Sequence, residues 1–213
     1  MTTLILVRHG QSEANLKEIF AGHYNAPLTE RGHKQARLAA EYLTKNYKID
    51  AVHSSDLLRA YYTGKPTADV LGLPVIKETG LREIFEGEWS GRLFSDLRVE
   101  FAEDYGLWLS DIGHARCTGG ESTWELLLRV KETLERIARE NDGKTVLITT
   151  HATPIRVMQT YTATGSLDAM KDIPWVANAS ISELFYENGE WRFGKISIEE
   201  HLGDLTTELP KNV

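Results

Sequence analysis

The chain has 213 residues, 41% of them hydrophobic and 26% charged, with a formal net charge of −7. A chain of this size buries a core without disulfides or structural metal, and the lone Cys117 excludes an internal disulfide and any multi-cysteine metal site. The negative balance argues against a general nucleic-acid binder, and no window approaches the roughly 20 apolar residues that span a bilayer.

Because Arg8 interrupts the first apolar run, no signal peptide is expected, and the cytoplasm is the expected compartment. A homodimer is the base-rate expectation for an oligomer. A negatively charged protein that binds a small anion must concentrate its cations locally, so individual arginines are worth following.

Taken in order, the chain alternates strands and helices. Leu4–Val7 is a buried strand running into Arg8, His9 and Gly10. Thr29 is an N-cap for a helix to about Asn46, with Ala36, Ala39, Ala40 and Leu43 on its apolar side. "IDAVHSS" (49–55) is a second strand, leaving Ser54 and Ser55 at its end. The helix that follows, over 56–72, is expected to be interrupted near Pro66. "LPVIKE" is a third, short strand, and 95–110 reads as helical within an irregular middle. Ser122 and Glu125 form a capping box for a long helix to about Glu140. "KTVLITT" (144–150) is a strand, and "PIRVMQTYTAT" the helix after it. "ISELFYENGEWRFGKISI" is a hairpin turning at Asn188–Gly189.

This alternation predicts an α/β fold with three αβα layers, a mainly parallel central sheet and an irregular, helical mid-chain insertion. Ligands of such sheets bind beyond the carboxyl ends of the strands. Two strands deliver histidines there: Leu4–Val7 leads to Arg8–His9, and Val146–Thr150 leads to His151. Either histidine alone reads as a loop residue; the pair, one with an arginine attached, reads as a site. Signatures of nucleotide-binding loops, zinc proteases and serine hydrolases are absent.

A neutral imidazole can itself be a nucleophile, and adjacent guanidinium charge keeps it neutral while holding an anionic substrate. Phosphoryl transfer needs such positioning and charge neutralisation, together with an acid for the leaving oxygen.

"LVRHGQSEAN" resembles the signature of the histidine phosphatase superfamily, in its phosphoglycerate-mutase-like branch. The resemblance continues through "FAGHYNAPLTERGHKQA" (20–36), "HSSDLLRAYYT" (53–63), "LREIFEGEWSG" (81–91), "GGES" (119–122) and "TVLITTHATPIR" (145–156), in the same order. It implies one domain over 1–213, with 84–120 as an insertion forming the wall of the substrate pocket. It also implies that His9 is the nucleophile and becomes phosphohistidine, and that Arg8 and Arg59 clamp the phosphoryl oxygens. His151 would be the second imidazole on that group, Asn15 a neutral donor, and Gly22 a backbone approach to the substrate. Glu83 would be the acid that protonates the leaving group and then activates water. No metal and no cofactor are implied; the partner is a small phosphate ester, with neither nucleic acid nor membrane.

Each residue has a plainer reading. Arg59 on a helix is a surface charge, Asn15 a turn residue, and Glu83 one of three loop carboxylates with Glu86 and Glu88. Trp89, Trp108 and Trp124 read as packing and pocket lining. The family usually has glycine after the second histidine; here Ala152 stands there, unstrained only if its φ is negative.

Members of the branch include both mutases and phosphatases. The region 84–112 carries only Arg92 and Arg98 as cations against seven acidic residues, little compensation for a second anionic group. A phosphomonoesterase is therefore the expected activity. A phosphoglycerate mutase is the alternative, and an inactive phospho-ligand binding module the second alternative. The esters suggested by the family range from sugar phosphates and fructose 2,6-bisphosphate to α-ribazole phosphate and nucleotide or amino-acid phosphates.

Overall fold

Leu4, Ile5, Leu6 and Val7 are each at most 1% exposed, because their strand, β1 (Thr2–Arg8), lies inside the sheet with both faces covered. The computed structural model describes residues 1–207; the end of the expected domain, 208–213, lies outside them.

Strand β1 pairs in parallel with β4 (Thr145–Thr150), which pairs with β2 (Ala51–Ser54), which pairs with β3 (Val75–Lys77). On its other side β1 meets β5 (Ile181–Glu187) antiparallel, and β5 turns into β6 (Glu190–Phe193), giving the order β3-β2-β4-β1-β5-β6. Asn188 and Gly189 make the hairpin turn with φ of 53° and 89°, the double positive φ of a type I′ turn.

The two-residue alternation of β1 divides the core. Leu4 and Leu6 face one cluster with Leu126, Val130 and Leu134 of α6 (Thr123–Glu140) and Ile155 and Met158 of α7 (Ala152–Thr164). Ile5 and Val7 face the other, with Leu43 of α2 (Glu30–Asn46) and Ala68 of α3 (Leu58–Leu71). The result is the expected three-layer α/β architecture. Thr29 accepts from Gly32 N at 3.0 Å to cap α2, and Ser122 with Glu125 forms the capping box of α6.

Helix α3 runs unbroken through Pro66, against expectation. Proline removes the N–H that would bond the carbonyl of Tyr62, so the helix continues with one hydrogen bond fewer, at a residue that is exposed. Before α2 lies a single helical turn, α1 (Glu13–Leu16). The helical middle divides at Phe101 into α4 (Phe94–Glu100) and α5 (Ala102–Ser110) around the fully buried Trp89. Helix α7 starts at Ala152, two residues before the expected Pro154.

Register brings the strand ends together. Arg8 is level with Thr150, His9 N donates to Thr150 O at 2.9 Å, and Ser55 N donates to Thr149 O at 2.9 Å. His9, His151 and Ser55 therefore leave three neighbouring strands at one edge.

Candidate active site

His9 is buried, and its Nδ1 lies 2.7 Å from the carbonyl of Gly10. A carbonyl only accepts, so Nδ1 carries the proton and Nε2 keeps its lone pair. Burial first, then the charges of Arg59 and Arg8, pushes the His9 pKa well below 6.5, so the ring is neutral at neutral pH.

His151 is also held neutral, by burial and by Arg59. Its Nε2 lies 2.8 Å from Ser55 Oγ, and the ring centroids of His9 and His151 are 5.2 Å apart. Hydrogen-bond accounting assigns the tautomer. Ser55 Oγ already accepts from Leu57 N at 3.3 Å, and its own proton finds an acceptor only at His151 Nε2. The His151 proton therefore sits on Nδ1, which is buried with no protein partner among the described residues.

Arg8 and Arg59 are 6% and 1% exposed, and burial lowers both pKa values to about 10, which leaves both charged. Arg8 Nη1 donates to Val176 O at 2.6 Å; Arg59 donates to Tyr24 O at 2.9 Å and Gly22 O at 2.6 Å. Neither forms a salt bridge among the described residues, and the Nε of each has no acceptor. Glu83 accepts from Ile84 N at 2.8 Å and from Thr153 N at 3.3 Å, the latter at the positive N-terminus of α7. Arg8, His9, Arg59 and Glu83 line one cleft, which the structure thus assembles from segments far apart in sequence.

Asn15 lines the same cleft, but its carbonyl end is committed to the capping box of α1, accepting from Ser12 N at 3.0 Å. That leaves its amide nitrogen as the end available to a ligand. Gly22 also lines the cleft, at φ +44°, and a Cβ there would collide with the carboxylate of Glu86. Glu86 is 2% exposed and saturated by His23 N, Tyr24 N and Ser90 Oγ. Glu86 therefore clamps the loop whose carbonyls hold Arg59. Glu88, the third acidic candidate, does not line the cleft. Ala152 has a negative, helical φ, so its methyl adds no backbone strain.

Several contributors escaped sequence reasoning. Ser55 was legible only as a strand end. Asn178 donates from Nδ2 to His9 O at 3.0 Å and Asn15 Oδ1 at 3.3 Å, and no spacing signals it. Val176 and Trp175 come from a loop without periodicity. The resemblance names Asn15, but not its second role, closing the capping box of α1 with Ser12. Among the described residues, no three His, Cys, Asp or Glu side chains are placed to hold a metal ion.

Two neutral imidazoles and two buried guanidiniums that form no salt bridge among the described residues, with a carboxylate nearby, suit an enzyme of phosphate esters at the edge of an α/β sheet. Residues 4–199 match the model of the histidine phosphatase superfamily (branch 1), and the chain belongs to that family. It is 35% identical over 214 residues to phosphoserine phosphatase 1 of Hydrogenobacter thermophilus, covering 100% of both chains. It is 34% identical over 148 residues to the adenosylcobalamin/alpha-ribazole phosphatase of Escherichia coli, covering 70% of this chain and 72% of that protein. Its structure superposes, with a TM-score of 0.83 and 25% identity, on a histidine-to-alanine mutant of phosphoserine phosphatase from Entamoeba histolytica solved with phosphoserine, covering 95% and 100%. The chain is a phosphatase of this superfamily. No helix among the described residues is long and apolar enough to cross a membrane.

Proposed function

We propose that the protein is a phosphomonoesterase that hydrolyses small phosphate esters through a phosphohistidine on His9. One observation carries the reading: Arg8 and Arg59 are buried beside the free Nε2 of His9 with only carbonyls as acceptors. Glu83 sets one carboxylate near these two buried cations without forming a salt bridge to either, and an anionic phosphoryl group supplies the direct partner that both lack among the described residues.

In the first step His9 Nε2 forms a bond to phosphorus as the ester P–O bond breaks, and Glu83 gives its proton to the departing alkoxide. Arg8, Arg59, the Nδ1–H of His151 and the amide of Asn15 stabilise charge on the equatorial oxygens. In the second step Glu83 takes a proton from water, the oxygen attacks phosphorus, and the P–N bond breaks to release phosphate and neutral His9. No part of this cycle requires a metal.

Hydrolysis rather than mutase transfer fits the rest of the cleft. Arg92 is paired with Glu100, and Arg98 lies 5.9 Å from the ring of Tyr105; neither lines the cleft, so among the described residues a second anion on the substrate has no cation there beyond Arg8 and Arg59. Incubation with a labelled phosphate ester followed by alkaline quench should trap an acid-labile phosphoryl adduct that His9→Ala lacks. Turnover without such an adduct would sink the covalent mechanism. Isomerisation of 3-phosphoglycerate in the presence of 2,3-bisphosphoglycerate, with negligible phosphate release, would identify a mutase instead.

A further inference from the structure

We infer that the alcohol half of the substrate is uncharged and carries a flat apolar ring, an inference that rests on the catalytic reading above. Beyond the four charged or catalytic side chains, the polar Ser12, Asn15 and Thr153 and three small residues, the cleft is walled by Ile19, Phe20, Ile84, Phe94, Trp108 and Trp175. Glu83 and Ile84 are consecutive, so the proposed acid and the start of the apolar wall share one stretch of backbone. A phosphate held by Arg8 and Arg59, with its leaving oxygen at Glu83, thus directs its alcohol along that wall.

The wall is pre-organised. Phe20 packs edge-to-face on Phe94 at 6.1 Å and on Trp108 at 5.3 Å. The Arg156 guanidinium lies 4.2 Å from the ring centroid of Trp175 and is tied to Ile173 O at 2.8 Å and Met170 O at 2.7 Å, which fixes the loop carrying that ring.

Charge decides what this wall accepts. Among the described residues Arg8, Arg59 and Glu83 are the only charged side chains lining the cleft, His9 being neutral, and phosphoryl transfer uses all three. Nearby cations are already engaged: Arg82 with Asp56 at 2.5 Å, Arg129 with Glu121 at 2.7 Å, and Arg92 with Glu100. Lys171 and Asp172 line a neighbouring groove that shares Trp108 and Trp175, not the cleft that holds His9. An amino-acid phosphate would bring an ammonium and a carboxylate against this wall with, among the described residues, no counter-ion for either beyond the three that phosphoryl transfer uses, a costly burial. A neutral ring instead exchanges water for aromatic contacts.

The test compares 2-phenylethyl phosphate, glycerol 3-phosphate and phosphoserine on the full chain. The primary alcohol released from the first is no better a leaving group than serine, so a preference reports binding rather than chemistry. The phenylethyl ester should exceed phosphoserine in kcat/KM by at least about tenfold, mainly through KM. Trp175→Ala and Phe94→Ala should narrow that ratio, raising KM for the ring ester more than for glycerol 3-phosphate. Binding of the same three esters to His9→Ala should follow the same order and reads the preference without turnover. Phosphoserine equal to or better than the ring ester, in turnover or in binding to His9→Ala, overturns the inference. A failure of all three esters to phosphorylate His9 bears on the catalytic reading, and the binding order still decides the substrate class.

Discussion

At the phosphate end of the cleft, Arg8 ends β1 and His9 follows it, while His151, fully buried beside His9 and not itself lining the cleft, follows the paired β4. Their polar atoms are fixed by backbone carbonyls and the Ser55 hydroxyl. At the alcohol end, Phe94 and Trp108 come from two short helices and Trp175 from a loop, and they are fixed by ring packing and one guanidinium. The first end has hydrogen-bond geometry that tolerates little displacement; the second has shape, which can be repacked at lower cost. Chemistry thus centres on the sheet edge, where Arg59 of α3 and Glu83 join the strand ends, and selection on the short helices and loops around it, so substitutions at the two ends should fail in different ways.

The largest effect is expected at Arg59. Arg59→Lys places a point charge where a planar fork bonds two carbonyls and faces the substrate, and a lysine cannot do both. Its kcat/KM should fall about 10²- to 10³-fold for every ester alike, the loss typical of one transition-state donor. Steady-state kinetics on charged and neutral esters checks this. A loss confined to one ester class would place Arg59 in the specificity wall instead.

Protonation should expose the same end. In the folded protein His9 and His151 are pushed well below 6.5, whereas in the unfolded chain both titrate near that value. Above pH 6.5 neither state binds an extra proton and the two groups contribute no pH dependence. Below it the unfolded chain takes up protons first, so stability falls as pH drops toward the folded pKa values. Thermal midpoints followed from about pH 7.5 down to about pH 5.5 should decline, and His151→Asn should flatten that decline. The depressed carboxyl pKa values of Asp56 and Glu125 act in the same direction but below the ordinary carboxylate range, outside this window. An unchanged slope in His151→Asn would show that the imidazole is not held neutral by the fold.

A smaller effect belongs to Ser55. Ser55→Ala removes the hydroxyl that holds the His151 proton on Nδ1, and kcat should drop about tenfold, near the net worth of one buried hydrogen bond. The nitrogen-15 shifts of His151 give a separate readout, moving from a single tautomer toward a mixture. A tautomer unaltered in Ser55→Ala would remove the hydroxyl from this role.

What the sequence made legible follows the same division. The apolar run Leu4–Val7, the run Val146–Thr150 and the caps at Thr29 and Ser122 predicted the layers, because burial and capping act within a few residues of where they are written. His9 and His151 were readable as a pair because strand ends of an α/β sheet share an edge. Arg59 and Glu83 needed the family resemblance, since nothing local separates a buried guanidinium from a surface one. Ser55, Asn178 and Val176 were illegible because their roles depend on partners 96, 169 and 168 residues away. The expected break at Pro66 did not occur: local sequence marks where an N–H is missing, but tertiary packing decides whether the helix continues past it.

The smallest effect tests whether the phosphate end has any slack. Ala152 stands where the family usually has glycine, immediately after His151 and at the first residue of α7, with φ in the helical range. Glycine there gains no conformation that the native backbone needs, and it increases the freedom of the unfolded chain. Ala152→Gly should therefore lower stability by about 0.5–1 kcal/mol and change kcat by less than about twofold. Chemical denaturation and initial rates on one ester measure both. A several-fold gain in kcat would mean that the methyl, at the mouth of the cleft and 7% exposed, crowds the phosphoryl group even though it does not strain the backbone. The rigidity assigned to the strand ends would then extend one residue into α7.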